Sequence, residues 1–166
     1  ALPGYGLSAL EACRLEGGFI VAGWDFSTEA DPDPDFQRSP FEVGLGWLVD
    51  LNKADFVGRD ALVKERENGQ RFVFKQFRVD KKIDLESGDV VYADIDDVAT
   101  QIGSVNCSSW SWGLAHTIGN LSIFNEHKDH RSAWLLLNGE RVTIELTSHP
   151  LLKLARRNRV PADLSP

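Results

Sequence analysis

The stretch from residue 71 to residue 79, RFVFKQFRV, decides the fold that the sequence predicts. Apolar and polar residues alternate along it, and Phe72, Phe74, Phe77 and Val79 are its prominent apolar positions. Such alternation is typical of a strand with one buried face. Further short apolar runs follow at regular spacing, separated by turn residues: DVVYADI, QIGSVNCSSW, TIGNLSIF, AWLLL and RVTIELT. Because no helical pattern interrupts them, we expect a small antiparallel barrel or sandwich.

The dipeptide Asn138-Gly139 separates the last two of these runs. A type I′ turn needs two positive φ angles, which Asn and Gly adopt more readily than other residues, so the dipeptide predicts a β-hairpin. The change in pattern after residue 70 predicts a domain boundary near 68–71. We therefore expect residues 69–166 to form a C-terminal β-barrel domain.

Residues before the boundary predict helices. The stretch LSALEACRLE, 7–16, combines leucines with good helix formers, and Ser8 followed by Glu11 fits a capping box. The pair Gly17-Gly18 supplies a C-terminal stop, because glycine adopts the left-handed conformation at little cost. A second helix is predicted over 54–69, ADFVGRDALVKERENG, with Asp55 as the N-cap and Gly69 at its end.

Two apolar runs in the same region are candidate strands. They are FIVAGW, residues 19–24, which we expect to be a buried strand or other extended run, and GLGWLVDL, residues 44–51. The segment between them, 27–42, has three prolines and no periodicity, which indicates a loop.

Composition bounds the class of protein. The chain has 166 residues, a net charge of −7, a pI near 5.0 and 42% hydrophobic residues. That is enough for one ordinary domain or two small ones with a real core. The acidic balance argues against a nucleic-acid partner and against an anionic membrane surface.

Targeting patterns and the cysteine content indicate a cellular compartment. We see no apolar run long enough to span a membrane and no signal-peptide pattern, so we expect a cytoplasmic protein. Cys13 and Cys107 then predict two reduced, buried thiols.

Metal sites are not favoured by the sequence. Asp31, Asp33, Asp35 and Glu42 approach the spacing of a calcium loop, but Phe36 stands where the loop turn needs glycine. We interpret this segment as a solvated acidic loop. His127 and His130, in the polar stretch NEHKDH, predict a surface turn rather than a metal site.

Two pairs of residues are candidates for ligand contact. Trp110 and Trp112 are two positions apart and so share one face of an extended segment, either inside the barrel or at a rim that meets a flat aromatic ligand. Arg14 and Glu16 cannot share a helix face. They are either ordinary charges at a helix end, or Arg14 holds an anionic ligand group with its planar fork.

Three stretches carry a resemblance to a known family. The chain contains Arg14-Leu15-Glu16-Gly17-Gly18, then Gly44-Leu45-Gly46-Trp47, then Phe56-Val57-Gly58-Arg59-Asp60-Ala61-Leu62. In order and spacing these resemble motifs of the glycine cleavage system T-protein family, the tetrahydrofolate-dependent aminomethyltransferases. The barrel part resembles the family mainly through IGSVNCSSWSWGLAHTIG. The chain departs from the family at Ala22, where tyrosine is frequent, and at Leu10-Glu11, where an Arg-Asp pair is common.

The resemblance implies an α+β chain: residues 1–68 as the tail of an α/β folate-binding domain, followed by the small antiparallel β-barrel. Family members are about twice as long, and their catalytic aspartate lies in an N-terminal half that this chain lacks; the missing starting Met agrees with this. The implied partners are therefore that half, tetrahydrofolate and a one-carbon donor. The resemblance implies no catalytic residue here and makes Arg14, Glu16, Trp110 and Trp112 candidate folate contacts. Basic residues near the end, Lys153, Arg156 and Arg157, are further candidates for the channel.

The resemblance leaves several activities open. We call the longer enzyme of which this chain is expected to be a part the parent. The parent is expected to be an aminomethyltransferase-like enzyme that transfers a one-carbon unit to folate, while these 166 residues alone are expected to be inactive. Alternatives are a folate-dependent demethylase of O-, S- or N-methyl compounds and a non-catalytic module of the same fold. An unrelated binding barrel whose motifs match by chance is a third alternative.

Overall fold

The computed structural model describes residues 4–27, 33–148 and 150–152. Within them, helix α1 spans Leu7–Gly17 and helix α2 spans Arg59–Asn68. Strands follow in the order β1 Phe72–Val79, β2 Val90–Ile95, β3 Val98–Ser111, β4 His116–Phe124, β5 Ser132–Leu137 and β6 Glu140–Thr147. Short 3₁₀ turns occupy Pro34–Phe36, Gly46–Leu48 and Asn125–His127.

The strands close into an antiparallel barrel in the order β1-β4-β3-β2-β5-β6. This confirms the α+β class and the predicted barrel. Asn138 and Gly139 have φ angles of 50° and 82° and join β5 to β6, which confirms the predicted hairpin. Alternate residues of each strand fill the barrel interior with apolar side chains, among them Phe77, Val91, Ile102, Leu121, Leu135 and Ile144.

Strands β3 and β4 approach each other closely around a β-bulge between Val105 and Cys107. A Cβ on Gly119 would collide with the backbone oxygen of Cys107 and lie 2.5 Å from the Phe77 ring, and a Cβ on Gly103 would collide with the backbone oxygen of Ser122. Glycine is therefore required at both positions. The bulge re-aims the side chains that follow it on β3.

Helix α1 packs on the outside of the barrel against β3 and β4. Leu15 is fully buried there, as is Ile118 of β4. The Nε2 of Gln76 on β1 donates to the backbone oxygen of Leu15 at 2.8 Å. The helix ends at Gly17, and the C-cap residue Gly18, with a φ of 74°, confirms the predicted glycine stop. The arrangement places the last turns of α1 directly over the polar side chains of the sheet.

The predicted N-caps are wrong for both helices. Helix α1 begins after Gly6 without a side-chain cap, and Glu11, the second half of the expected capping box, bonds Arg14 instead. Helix α2 begins at Arg59, four residues after Asp55, because Gly58 adopts a φ of 86° and holds the N-cap position. The predicted end of α2 at Gly69 is confirmed.

The two candidate strands before the barrel are also wrong. In 19–24, the Val21 N–H donates to the Asp25 carboxylate at 2.8 Å and the Asp25 N–H returns to the Val21 oxygen at 2.9 Å. These bonds fold the segment into a turn, with an isolated bridge between Ala22 and Phe26. In 44–51, Gly44 at a φ of 76° leads into a 3₁₀ turn rather than a strand.

No helix in the described ranges is long and apolar enough to cross a membrane. Helix α2 ends at Asn68 and β1 begins at Phe72, while the division into two domains at that point stays a prediction. Asp31 of the acidic loop and the basic candidates Lys153, Arg156 and Arg157 lie outside the described residues.

Candidate functional site

The side chain of Arg14 points into the junction between α1 and the barrel and is 6% exposed. Its guanidinium makes five hydrogen bonds: two to Glu11 at 2.7 Å, one to Asp25 at 2.7 Å, and one each to the Phe19 carbonyl and the Cys107 sulfur at 3.1 Å. A guanidinium has five N–H donors. All of them are used within the protein, so Arg14 in this state has none left for a ligand carboxylate.

The surroundings of Arg14 keep it charged. Burial alone would lower its pKa, but the hydrogen bonds to Glu11 and the negative charges of Asp25 and Glu11 outweigh burial, and the pKa stands above its ordinary value. The guanidinium also lies 5.1 Å from the ring centroid of Trp24, in a cation–π arrangement. Arg14 therefore acts as a fixed cation that holds Glu11, Asp25 and Trp24 in place.

Asp25 is the centre of the polar network and is fully buried. Its Oδ2 accepts from Arg14 and from the Val21 N–H, and its Oδ1 accepts from Asn120 at 2.9 Å and from the Cys107 thiol at 3.2 Å. One carboxylate thus joins α1, the turn that follows it, β3 and β4.

The network continues across the outer face of the sheet. Asn120 also accepts from Gln76 at 3.2 Å, while Asn106 donates to the Asp25 carbonyl at 3.2 Å and accepts from Ser122. Ser122 in turn accepts from Arg38 at 3.3 Å, which attaches the loop after residue 33 to the same face. Buried amides satisfied in this way fix the position of α1 on the barrel.

Cys107 is held as a neutral thiol. Burial raises its pKa above the ordinary value, the charge of Asp25 adds to this, and Arg14 opposes it only in part. A thiol with a raised pKa is a poor nucleophile, because the thiolate is the reactive form. Cys13, predicted to be buried, is exposed, and both cysteines are free.

A cavity of about 670 Å³ opens beside this network, and we call it the α1–β3 cavity. Its walls combine carboxylates, small polar groups and aromatic rings, including Glu11, Trp24, Phe36, Cys107, Ser108 and Ser109. Cavities of this volume with a few fixed polar groups suit small-molecule ligands. Neither Arg14 nor Glu16 lines it, and Trp110 and Trp112 also lie outside its described lining.

Glu16 lies on a different side of α1 from this cavity. It accepts a 2.5 Å hydrogen bond from Ser111, and Ser111 in turn accepts from the Leu114 N–H at 3.0 Å. Ser111 is fully buried at the end of β3. Glu16 thus ties the end of α1 to the β3–β4 hairpin.

The two tryptophans are neighbours but face away from α1. Their ring centroids lie 6.1 Å apart in an edge-to-face contact. Trp110 is adjacent to Ser111, which faces α1, and successive residues of a strand point to opposite faces. Trp112 is 82% exposed at the hairpin apex. The four predicted folate contacts therefore do not form one cluster in this chain: Arg14 is at the junction, Glu16 at the hairpin, and the tryptophans beyond it.

Comparisons with known proteins fit this architecture. A trimethylamine-oxide aldolase from Ruegeria pomeroyi is 38% identical over 126 residues, which is 75% of this chain and 14% of that protein. A probable aminomethyltransferase from Halobacterium salinarum is 31% identical over 148 residues, 89% of this chain and 38% of that protein. No family model matches the chain.

A solved structure has a similar fold. The glycine cleavage system aminomethyltransferase T from Bartonella henselae superposes with a TM-score of 0.74 and covers 89% of this chain and 39% of that one, at 19% sequence identity. The chain belongs to the aminomethyltransferase, or glycine cleavage T-protein, family. It spans 14% and 38% of the length of the two relatives named above.

The functional residues that the sequence did not predict are those of the polar network around Asp25. Glu11 was expected to cap a helix and Asp25 carried no prediction. Asn106 and Asn120 each stand in an Asn-x-Ser glycosylation pattern, which in a chain expected to be cytoplasmic is a chance match and indicates no buried network. A polar residue inside an apolar run, such as Asp25 in VAGWDF, is the signal that could have indicated a buried polar centre.

The described residues hold no group of three or more His, Cys, Asp or Glu that could bind a metal ion. Asp33 accepts from the Asp35 N–H at 3.0 Å. Glu42 is buried and accepts from Arg71 and from the Ser39 N–H. His127 and His130 pack edge to face with centroids 5.7 Å apart. The acidic loop residues described are thus engaged in local turns and one ion pair.

Proposed function

We propose that this chain is the C-terminal portion of a tetrahydrofolate-dependent enzyme that transfers a one-carbon unit to folate, and that the α1–β3 cavity holds part of the folate or of the one-carbon donor. Family membership supports the reaction class. The observation that carries the location is the cavity itself, which opens between Glu11 of α1 and the stretch Cys107, Ser108 and Ser109 of β3. Transfer of a one-carbon unit needs a dry, preorganised pocket that holds both partners close.

The predicted contact residues have distinct roles in this proposal. Arg14 holds Glu11 and Asp25 in position and orients Trp24 at the cavity rim. Glu16 positions the β3–β4 hairpin, which carries Trp110 and Trp112 in edge-to-face contact. Contact of these two tryptophans with folate stays a prediction. The chemical step itself is assigned to residues of the parent outside this chain.

Calorimetry with tetrahydrofolate tests the proposal on the full-length parent. Binding is expected in the wild type, and Trp24→Ala is expected to weaken it about tenfold, because loss of an aromatic wall costs about 1 kcal/mol or more. The matched control is Trp47→Ala, since Trp47 is 78% exposed and lies outside the cavity lining. Absence of tetrahydrofolate binding to the wild-type parent would overturn the proposal.

A second candidate is a demethylating enzyme that passes the one-carbon unit of an N-methyl compound to folate. It is supported by the 38% identity to the trimethylamine-oxide aldolase. Turnover of the full-length parent with a methylated amine and tetrahydrofolate, compared with an aminomethyl donor, separates the two. Transfer of the methyl group from the amine nitrogen to folate N5 returns the N5 proton to the amine and needs no oxidant, so 5-methyltetrahydrofolate formed from the methylated amine supports the demethylase. Methylenetetrahydrofolate from the aminomethyl donor, with no 5-methyltetrahydrofolate from the methylated amine, argues against it.

A further inference from the structure

The α1 end of the polar network, formed by Glu11, Arg14, Asp25 and Cys107, carries more negative than positive charge. Arg14 is its cation, and it lies between two carboxylates, Glu11 and Asp25. Burial raises the pKa of the Cys107 thiol, so Cys107 adds no charge. Two carboxylates and one guanidinium leave a net charge of −1 at a site shielded from solvent, where water compensates poorly.

Glu11 presents this charge to the cavity. Its side chain is 15% exposed, and it is one of the residues that line the cavity. Each carboxylate oxygen accepts one N–H from Arg14, and a carboxylate offers about four acceptor positions. Each oxygen of Glu11 therefore keeps one acceptor position for a group in the cavity.

The remaining walls favour the same kind of ligand. Asp33 adds a second carboxylate at the rim, and the described lining contains no Lys, Arg or His. Trp24 and Phe36 supply π-faces, which attract cations and flat rings. A ligand carboxylate or phosphate would meet two acids and no base in the described lining; Arg38 does not line the cavity, although its guanidinium lies 5.5 Å from the ring centroid of Phe36.

We infer that Glu11 receives the nitrogen-bearing group of the ligand, either the N–H edge of an aminopyrimidinone ring or an alkylammonium. The inference rests on the proposed function, in which the cavity holds part of folate or of the one-carbon donor. The shared chemistry is a positively polarised N–H that donates to the Glu11 carboxylate. Anionic groups of the ligand lie outside this cavity.

Ligand-observed NMR on the full-length parent tests this with three small probes: isocytosine for the ring edge, dimethylammonium for the amine, and acetate as the anion. Glu11→Gln is expected to weaken the binding nitrogen probe about tenfold or more, since a charge-assisted hydrogen bond is replaced by a neutral one. Asp33→Asn, at an exposed rim position, is expected to weaken it by about two- to fivefold. Glu140→Gln, exposed on β6, removes the same charge away from the cavity and is expected to change nothing.

The outcomes separate the inference from the proposed function. Binding of isocytosine alone identifies a ring edge, binding of dimethylammonium alone identifies an amine, and either supports the inference if both cavity variants weaken it. Binding of acetate in addition to the nitrogen probes overturns the inference. Binding of the nitrogen probes that neither Glu11→Gln nor Asp33→Asn weakens also overturns it. Because Glu11→Gln perturbs Arg14, the Asp33 variant keeps the test valid if the Glu11 variant misfolds. Tetrahydrofolate binding, measured separately, decides the proposed function.

Discussion

At the scale of single residues, the chemistry of this chain depends on one buried carboxylate. Asp25 is fully buried and accepts four hydrogen bonds, from Arg14, Val21, Asn120 and Cys107. Each donor belongs to a different part of the fold, so the carboxylate joins these parts by hydrogen bonds, in place of the apolar packing that joins elements in a hydrophobic core. Removing the charge or the acceptor leaves buried donors without partners.

Asp25→Asn is expected to destabilise the chain by about 3 kcal/mol or more, because one side of the amide turns its own N–H groups toward buried donors. Urea unfolding measures the change. Glu145→Gln is the control, since Glu145 pairs with Arg78 at the surface, where both side chains are about half exposed. That control is expected to cost about 1 kcal/mol or less. Equal effects of the two substitutions would contradict the role assigned to Asp25.

The Cys107 thiol predicts a loss of stability in alkaline solution. Its folded pKa is raised by burial, so above the ordinary thiol pKa of about 8.5 the unfolded chain releases the proton while the folded chain keeps it. This contribution to stability is fully present below that pH and is lost as the pH rises toward the folded pKa. Between about pH 7 and pH 9.5 we expect the loss from this group to be about 1 kcal/mol.

Unfolding of variants at the two pH values isolates that contribution. Cys107→Ala should show a shallower alkaline decline than the wild type, whereas Cys13→Ala, at an exposed position, should follow the wild type. A Cys107→Ala chain with the same alkaline decline as the wild type would show that burial of this thiol has no such effect.

At the scale of elements, the β3–β4 pair determines where the site lies. The bulge between Val105 and Cys107 turns Cys107 toward α1 and Asp25, and Gly119 lets the strands approach closely at that point. The pairing of Cys107 with Asn120 then places both side chains beneath Asp25. A side chain on Gly119 would push apart the two strands that hold the network.

Gly119→Ala is therefore expected to cost about 3 kcal/mol, through collision of the new methyl with the Cys107 carbonyl and the Phe77 ring. Gly113→Ala in the hairpin is the matched control, because its Cβ would lie 3.4 Å from the Glu16 carboxylate, an ordinary contact. The control should change stability by about 0.5 kcal/mol or less. Thermal unfolding of both variants makes the comparison, and a stable Gly119→Ala chain would refute the close approach.

Elements with strong local patterns could be predicted from the sequence. The strand β1 and the Asn138-Gly139 turn depend on neighbours in the chain, and both are confirmed. The expected single buried face of β1 is wrong, because Lys75 and Gln76 are both buried beside Phe77. The strand predicted at 19–24 is wrong because Asp25 takes up the Val21 N–H, and that bond depends on a network assembled by β3 and β4. The site is a product of long-range contacts, so its residues carry little local signal.

At the scale of the whole molecule, the two halves of α1 differ. The C-terminal half packs against the barrel through Arg14 and Leu15, while Leu7 is 71% exposed and Leu10 is 43% exposed on the N-terminal half. Tyr5, just before the helix, is 72% exposed. Leucines three apart share a helix face, and contiguous exposed apolar surface is a site of association. The family relatives named above are longer than this chain, and under the proposed function further polypeptide would cover this surface.

The 166-residue chain on its own is therefore expected to self-associate through this surface. Sedimentation velocity over a wide concentration range should show a species larger than the monomer that grows with concentration. Leu7→Gln combined with Leu10→Gln should weaken association about tenfold or more, since each exposed leucine contributes about 1 kcal/mol when covered. Leu136→Gln on β5 removes a leucine that is 56% exposed on the barrel, and it should leave association unchanged. A chain that stays monomeric at every concentration would contradict the predicted association. An equal loss of association in the Leu136→Gln variant would show that the associating surface is not on α1.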